Sequence, residues 1–130
     1  GNTPLHLAAL EGMDELVSSL LLRGADKDAL SVLGKTPLML ASRWGHLSVV
    51  HTLLAATIIG HGADVNASGD LNETALHTAA RRDGAGAVNA LIEVGADINA
   101  RAYDGTSLTY AALFNRRDSV LALLERGASL

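Results

Sequence analysis

The sequence predicts an all-α solenoid of stacked helix pairs, and three observations support this prediction. A seven-residue block that begins with Thr occurs four times, and a Gly-Ala block follows each copy. The helical stretches between these blocks are too short to be stable alone in water, so each must pack against neighbouring copies. Only 3% of the 130 residues are aromatic whereas 48% are hydrophobic, so small aliphatic side chains must form the packed surfaces.

The two blocks keep an almost constant spacing along the chain. The seven-residue block begins at Thr3, Thr36, Thr74 and Thr106. The Gly-Ala block begins at Gly24, Gly62, Gly95 and Gly127. The distance between them is 21 residues in copies one, three and four and 26 residues in copy two. Copy two therefore carries five extra residues, which we place at 57–61, and the period between the first two copies is 33 residues.

The residues of each copy predict a first helix, a break, a second helix and a turn, in that order. In copy one, Thr3 can accept a free backbone N–H at the helix start, and Pro4 at the first helical position lacks an N–H that would need a partner. Gly12 is suited to the left-handed conformation that ends a helix, and Asn115 takes this place in copy four. Apolar residues at helical spacing over 16–21 then predict the second helix.

With these blocks at this period, the sequence resembles the ankyrin-repeat family, through Thr-Pro-Leu-His-x-Ala-Ala and Gly-Ala-Asp-x-Asn-Ala. The resemblance covers the whole chain, which we interpret as one domain, 1–130, and as an excerpt of a longer array. The copies span about 1–30, 31–67, 68–100 and 101–130. The resemblance implies helix-turn-helix pairs with β-turn or hairpin fingers. The residues at 57–61 are either a tolerated surface insertion or an exposed apolar ridge that makes a contact.

The composition argues against most catalytic and cofactor chemistry. The chain has no Cys, which excludes disulfides, thiolate metal ligands and thiol catalysis. The resemblance implies that His6 and His77 are structural, bonded to the Thr three residues earlier and to finger backbone. The other histidines lack metal-ligand spacing. We therefore predict no enzyme activity, catalytic residue, cofactor or metal site.

Charge and terminal sequence predict the partners and the compartment. The net charge of −4 argues against binding to nucleic acid or to a membrane surface, because both need a basic surplus. No signal sequence or membrane-spanning stretch is evident, so we expect an intracellular protein of the cytoplasm or nucleus. We also expect a monomer, with self-association through the open ends of the stack as an alternative.

Binding is the predicted function, and the resemblance implies a concave partner surface built from finger tips and first-helix edges. Three of the four aromatic residues, Trp44, Tyr103 and Phe114, fall at positions that the family leaves variable and exposed. Arg43, Arg81 and Arg82 add positive charge. The predicted partner-binding residues are Leu33, Lys35, Arg43, Trp44, Leu71, Glu73, Arg81, Arg82, Tyr103, Asp104, Leu113 and Phe114. Such a surface would suit a peptide with apolar anchors and acidic residues.

Several alternatives remain open at this stage. Phe114 and Tyr103 could instead cover the C-terminal edge, and the arginines could solvate the surface or hold a phosphorylated or nucleic-acid ligand. The resemblance also makes Asn66 and Asn99 candidates for asparaginyl hydroxylation, although a hydrogen bond within the finger is the competing role. The predicted function is a non-catalytic protein–protein interaction module. The alternatives are a regulatory or scaffolding arm of a larger, enzymatic protein and a self-associating structural spacer.

Overall fold

The computed structural model describes residues 1–55, 62–82 and 85–130. In these ranges the chain forms eight α-helices, which confirms the all-α prediction. The helices are α1 (Pro4–Glu11), α2 (Asp14–Leu22), α3 (Pro37–Trp44), α4 (Leu47–Leu54), α5 (Ala75–Ala80), α6 (Gly86–Glu93), α7 (Ser107–Leu113) and α8 (Arg117–Glu125). The predicted insertion at 57–61 and the predicted break at 83–84 lie outside the described residues.

The first helix of each copy begins where the sequence predicts, and in copies one, two and four it also ends there. The Thr3 hydroxyl accepts the backbone N–H of His6 at 3.3 Å, and Thr36 accepts that of Met39 at 3.2 Å. Gly12 follows α1 with a φ of 72°, and Asn115 follows α7 with a φ of 55°. These left-handed residues reverse the chain into the second helix.

The helices form two layers that run the length of the stack. The first helices, α1, α3, α5 and α7, pack on one another in sequence order, and so do the second helices. Each helix buries a short aliphatic side against its neighbours, as Leu38 and Leu76 do in the inner layer and Val88 does in the outer layer. The core is therefore a continuous strip between the layers, and no copy has a separate centre.

Neighbouring fingers contact one another through their backbones. The carbonyl of Gly34 accepts the N–H of Asp70 at 3.1 Å, and the carbonyl of Leu71 accepts the N–H of Tyr103 at 2.9 Å. A side chain at Gly69 would collide with the Gly34 carbonyl, so this close approach requires glycine. Within the described ranges the fingers hold one isolated antiparallel bridge and no strand, so they are turns and not hairpins.

A ladder of side-chain hydrogen bonds joins the copies below the fingers. The residue two positions after each Gly-Ala-Asp block accepts a backbone N–H from the next copy. The pairs are Asp28 with Asp64 at 2.9 Å, Asn66 with Asp97 at 2.7 Å and Asn99 with Ser129 at 2.9 Å. Asn66 and Asn99 thus both hydrogen-bond within the finger region, which is the role that the sequence sets against hydroxylation. Hydroxylation of Asn66 and Asn99 stays a prediction.

Candidate functional site

An apolar groove lies between the fingers and the inner helices of the first two copies. Its cavity measures about 320 Å³. Its apolar lining comes from α1, α3 and the intervening finger and consists of Leu7, Leu10, Leu33, Met39, Leu40 and Trp44. Leu33 is 73% exposed and Leu7 is 53% exposed, so large aliphatic side chains face solvent here. A concave surface of this kind is typical of a ligand-binding or protein-binding site.

A second cavity, the arginine pocket, adjoins the groove along the same face. It measures about 370 Å³ and is lined by Arg43, Arg81, Arg82, Arg116, Trp44 and Phe114. The guanidinium carbon of Arg43 lies 5.7 Å from the Trp44 ring centre, and that of Arg81 lies 5.4 Å from the Phe114 ring centre. Both distances suit cation–π contacts, which hold the aromatic rings and the guanidinium groups next to one another.

A buried carboxylate lies behind the two cavities. Glu73 is 1% exposed, and its side chain accepts hydrogen bonds from Lys35 Nζ at 2.7 Å, from Arg81 and from the Tyr110 hydroxyl at 3.1 Å. Arg81 also lies over the Tyr110 ring, with 4.9 Å from its guanidinium carbon to the ring centre. These contacts fix the direction of Arg81, because its guanidinium is held from two sides.

The charges around Glu73 keep it ionised. Burial alone would raise the pKa of Glu73, but the hydrogen bond and charge of Lys35, together with the charge of Arg81, outweigh burial and hold the pKa below 4.5. Burial, followed by the negative charge of Glu73, raises the pKa of the Tyr110 hydroxyl above 10.0. At neutral pH Tyr110 is therefore protonated and donates, while Glu73 is a carboxylate and accepts.

The two block histidines connect each first helix to its finger. Nε2 of His6 lies 2.8 Å from the Ala29 carbonyl and 3.0 Å from the Lys35 carbonyl. Because both neighbours can only accept, Nε2 carries the proton, and Nδ1 accepts the N–H of Thr3 at 3.1 Å. His77 repeats this arrangement with Thr74 and Gly105. The structural role that the resemblance implies for both histidines is confirmed.

In copy two, Met39 takes the histidine position, and its sulfur lies 3.5 Å from the backbone nitrogen of Thr36. In the part of the chain that the structure describes, no group of three His, Cys, Asp or Glu residues could hold a metal ion. Among the same residues, no helix is both long enough and apolar enough to cross a membrane.

Comparison with known proteins agrees with this geometry. A family model described as ankyrin repeats in three copies matches residues 1–68 and again residues 55–130, which together cover the whole chain. The chain belongs to the ankyrin-repeat family. Ankyrin arrays are protein-interaction modules, and where they occur in enzymes the similarity to this chain is confined to their repeat regions.

Three relatives illustrate the range of proteins that carry similar ankyrin repeats. A transient receptor potential cation channel subfamily A member 1 homolog of Caenorhabditis elegans is 37% identical over 96% of this chain and 10% of its own length. The E3 ubiquitin-protein ligase XBAT33 of Arabidopsis thaliana is 46% identical over 61% of this chain and 15% of its own length. The human NF-kappa-B inhibitor alpha is 35% identical over 76% of this chain and 32% of its own length. The chain thus spans less than a third of each of these relatives.

The ankyrin array brings together seven of the twelve residues predicted to bind a partner. These residues line one or both cavities and are Leu33, Lys35, Arg43, Trp44, Arg81, Arg82 and Phe114. Four others are exposed but line neither cavity: Leu71, Tyr103, Asp104 and Leu113. They lie farther along the stack, on the third finger, the fourth finger and the last inner helix.

Glu73 is a correction to the predicted surface. The sequence places it at a finger position and suggests an exposed contact, but its side chain is buried and its carboxylate is occupied by Lys35, Arg81 and Tyr110. A signal for this pairing is visible in the sequence. Lys35 and Glu73 immediately precede the capping Thr of successive copies, so opposite charges face each other one repeat apart.

Sequence reasoning also missed Leu7, Leu40 and Tyr110. All three occupy the fifth position of the seven-residue block, which is Leu, Leu, Thr and Tyr in the four copies, whereas the sixth position is Ala in every copy. In the first two copies this position lines the apolar groove, and in the fourth it supplies the hydroxyl that binds Glu73. Variation within an otherwise regular repeat was therefore the signal that could have identified these residues.

The array should lose stability as the pH falls below about 6.5. Burial holds the pKa of His77 below its ordinary 6.5, so in this range the unfolded chain binds a proton that the folded chain excludes. The contribution of neutral His77 to stability is therefore fully present above the pKa that His77 has in the unfolded chain. It declines as the pH falls toward the lower pKa that His77 has in the folded chain. Glu73, with its pKa below 4.5, adds a further loss at lower pH.

Urea unfolding followed by circular dichroism at about pH 7.5, 6.5 and 5.5 would measure this decline. His77→Met should flatten the pH dependence, since the non-titrating side chain already serves this position in copy two. His51→Gln, which changes an exposed histidine, should leave it unchanged. Equal pH slopes for the wild type and His77→Met would contradict the assignment.

Proposed function

We propose that the chain is a non-catalytic interaction module that holds a partner protein or peptide on its concave face. The observation that carries this proposal is the apolar groove, in which half-exposed Trp44 lies beside aliphatic residues that face solvent. Trp and Arg are the residue types that contribute most binding energy in protein interfaces, particularly in pockets that exclude water. The name of one relative, NF-kappa-B inhibitor alpha, states an action on another protein and agrees with this function.

Substitutions on the concave face should remove partner binding without unfolding the module. In affinity capture from the source cells, Trp44→Ala with Leu33→Ala should lose a set of proteins that the wild type retains. Both side chains are about half exposed or more, so we expect stability to change by less than about 1 kcal/mol. Circular dichroism and urea unfolding of the variant would check that expectation.

Leu22→Ala with Leu121→Ala is the matched control, since both leucines are exposed on the outer helices α2 and α8. The control should retain the proteins that the concave variant loses. If the concave variant captures the same proteins as the wild type, or if only the control loses them, the concave assignment is wrong. The same comparison tests whether Leu33 and Trp44 belong to the surface.

A second candidate function is an arm of a larger protein. It is favoured by the coverage of the relatives, because this chain corresponds to 10% of a cation channel homolog and 15% of an E3 ubiquitin-protein ligase. In that case the module would present a partner or substrate to a different domain. Sequencing the complete transcript in which residues 1–130 are encoded would test this candidate, and a transcript that encodes only the repeats would contradict it.

A further inference from the structure

The two cavities form one surface of mixed character. They share Arg43, Trp44 and Arg81, so the apolar groove opens directly beside the arginine pocket. A single extended segment of a partner can therefore fill both, with side chains a few residues apart along its chain. A segment of this kind needs no pre-formed fold, because the wall of the groove supplies the shape.

The arginine pocket contains guanidinium groups that pair with no carboxylate of the described residues. Glu73 is bound to Arg81 and Lys35. Across the described ranges, no carboxylate lies within ion-pair distance of Arg43 or Arg82. Arg116 donates from Nε to the carbonyl of Arg81 at 2.6 Å and lines the same wall. The guanidinium groups of Arg43 and Arg82 repel each other, and an anion in the pocket relieves that repulsion.

The surrounding charge makes this feature selective. The chain as a whole has a net charge of −4, so the positive pocket stands out against an acidic background. An acidic side chain is attracted to this pocket, whereas a basic one is repelled by it. Glu73 also shows that Arg81 can bind a carboxylate in this environment.

From these observations we infer that the concave face recognises an extended peptide segment in which an Asp or Glu side chain enters the arginine pocket and a bulky apolar side chain enters the groove. This inference rests on the proposed function and names the class of partner. Arg43 and Arg82 bind the carboxylate, since guanidinium groups can form paired hydrogen bonds with it. Trp44 forms the shared wall and contacts both parts of the segment.

A nucleic-acid strand fits this surface less well. Its phosphates would require a basic track along the whole face, but the fingers carry exposed Asp70 and Asp104. The groove also offers leucine side chains where a phosphodiester backbone would need donors. A peptide with a carboxylate next to an apolar side chain fits both the arginine pocket and the apolar groove.

Selection from a random peptide library displayed on phage, with the 130-residue chain immobilised, tests the inference. Peptides that bind should be enriched in Asp or Glu near Leu, Ile, Met or Phe. Synthetic versions with a fluorescein label should bind the R43E/R82E variant at least about tenfold more weakly than the wild type, as measured by anisotropy. Selection on that variant should instead enrich Lys or Arg.

The R23E/R101E variant is the control for total charge. It makes the same change in net charge at two exposed arginines that line neither cavity, and it should bind the selected peptides within about threefold of the wild type. Circular dichroism of both variants would exclude unfolding as the cause of any loss.

Four results would overturn the inference. One is a selection that yields no binding peptide, and another is R43E/R82E binding as tightly as the wild type. The third is a labelled single-stranded oligonucleotide binding more tightly than the selected peptides. Peptides that bind through Trp44 without enrichment in acidic residues would also overturn it, although they would support the proposed interaction function. Failure of that function is measured separately by the capture experiment.

Discussion

Replacing Glu73 by Gln should lower the free energy of unfolding by about 2 to 3 kcal/mol, even though the two side chains have nearly the same shape. The wild-type carboxylate accepts from Lys35, Arg81 and Tyr110 in a buried site. The amide has one acceptor oxygen and turns an NH₂ group toward these donors. Removing one partner of a buried ion pair costs about 3 to 5 kcal/mol, and we reduce this figure because the Lys35 and Arg81 side chains are 24% and 23% exposed.

Urea unfolding at neutral pH measures this loss, and Asp104→Asn is the matched control. Asp104 is an exposed acid on the next finger, so its substitution should change stability by less than about 0.5 kcal/mol. Glu73→Gln with unchanged stability would show that the three contacts contribute no net free energy.

His77→Ala should have an effect of similar size, about 2 to 4 kcal/mol. The imidazole is fully buried, bonds to Thr74 and Gly105, and meets the Tyr110 ring edge-on at 5.0 Å. Its removal leaves a cavity and deprives a buried N–H and a carbonyl of their partners, and both effects destabilise the fold.

His77→Met is the informative comparison, because the chain itself uses methionine at this position in copy two. Met39 is 1% exposed and directs its sulfur to the Thr36 N–H, so a methionine at position 77 fills the space and restores a weak contact. In urea unfolding, we expect His77→Met to lower the free energy of unfolding by less than half as much as His77→Ala does. Equal losses would mean that the hydrogen bonds, and not the packing, supply the stability.

Much of the fold could be predicted because the same local physics acts in every copy. Thr at the helix start, Gly or Asn at its end and short aliphatic sides each have one structural solution, and their repetition identifies the stack. The conformation of the fingers was less predictable. The shape of a finger depends on the preceding finger, as the hydrogen bond from Asp70 to Gly34 shows, and a neighbour one repeat away is not visible in local sequence.

The candidate site was predicted in part, and the misses have a common cause. Trp44 and Phe114 were identified because large aromatic residues are scarce in this chain and these two stand at variable positions of a regular repeat. Glu73 was misplaced because its finger position suggests exposure, whereas its pairing with Lys35, one copy earlier, accompanies a buried side chain. Tyr110 was missed because its role depends on Glu73, 37 residues away. The pairing of Lys35 with Glu73 follows the period of the repeat, whereas that of Tyr110 with Glu73 joins different repeat positions and depends on the three-dimensional stack.

The contacts of Glu73 also limit how this array can change by recombination. Lys35, Glu73 with Arg81, and Tyr110 come from the second, third and fourth copies respectively. Exchanging two of these copies, or duplicating one between them, would bury a carboxylate without its donors. We therefore expect the three copies to be exchanged only as a single block, although each resembles an independent unit. An added copy is tolerated only where it leaves that block whole.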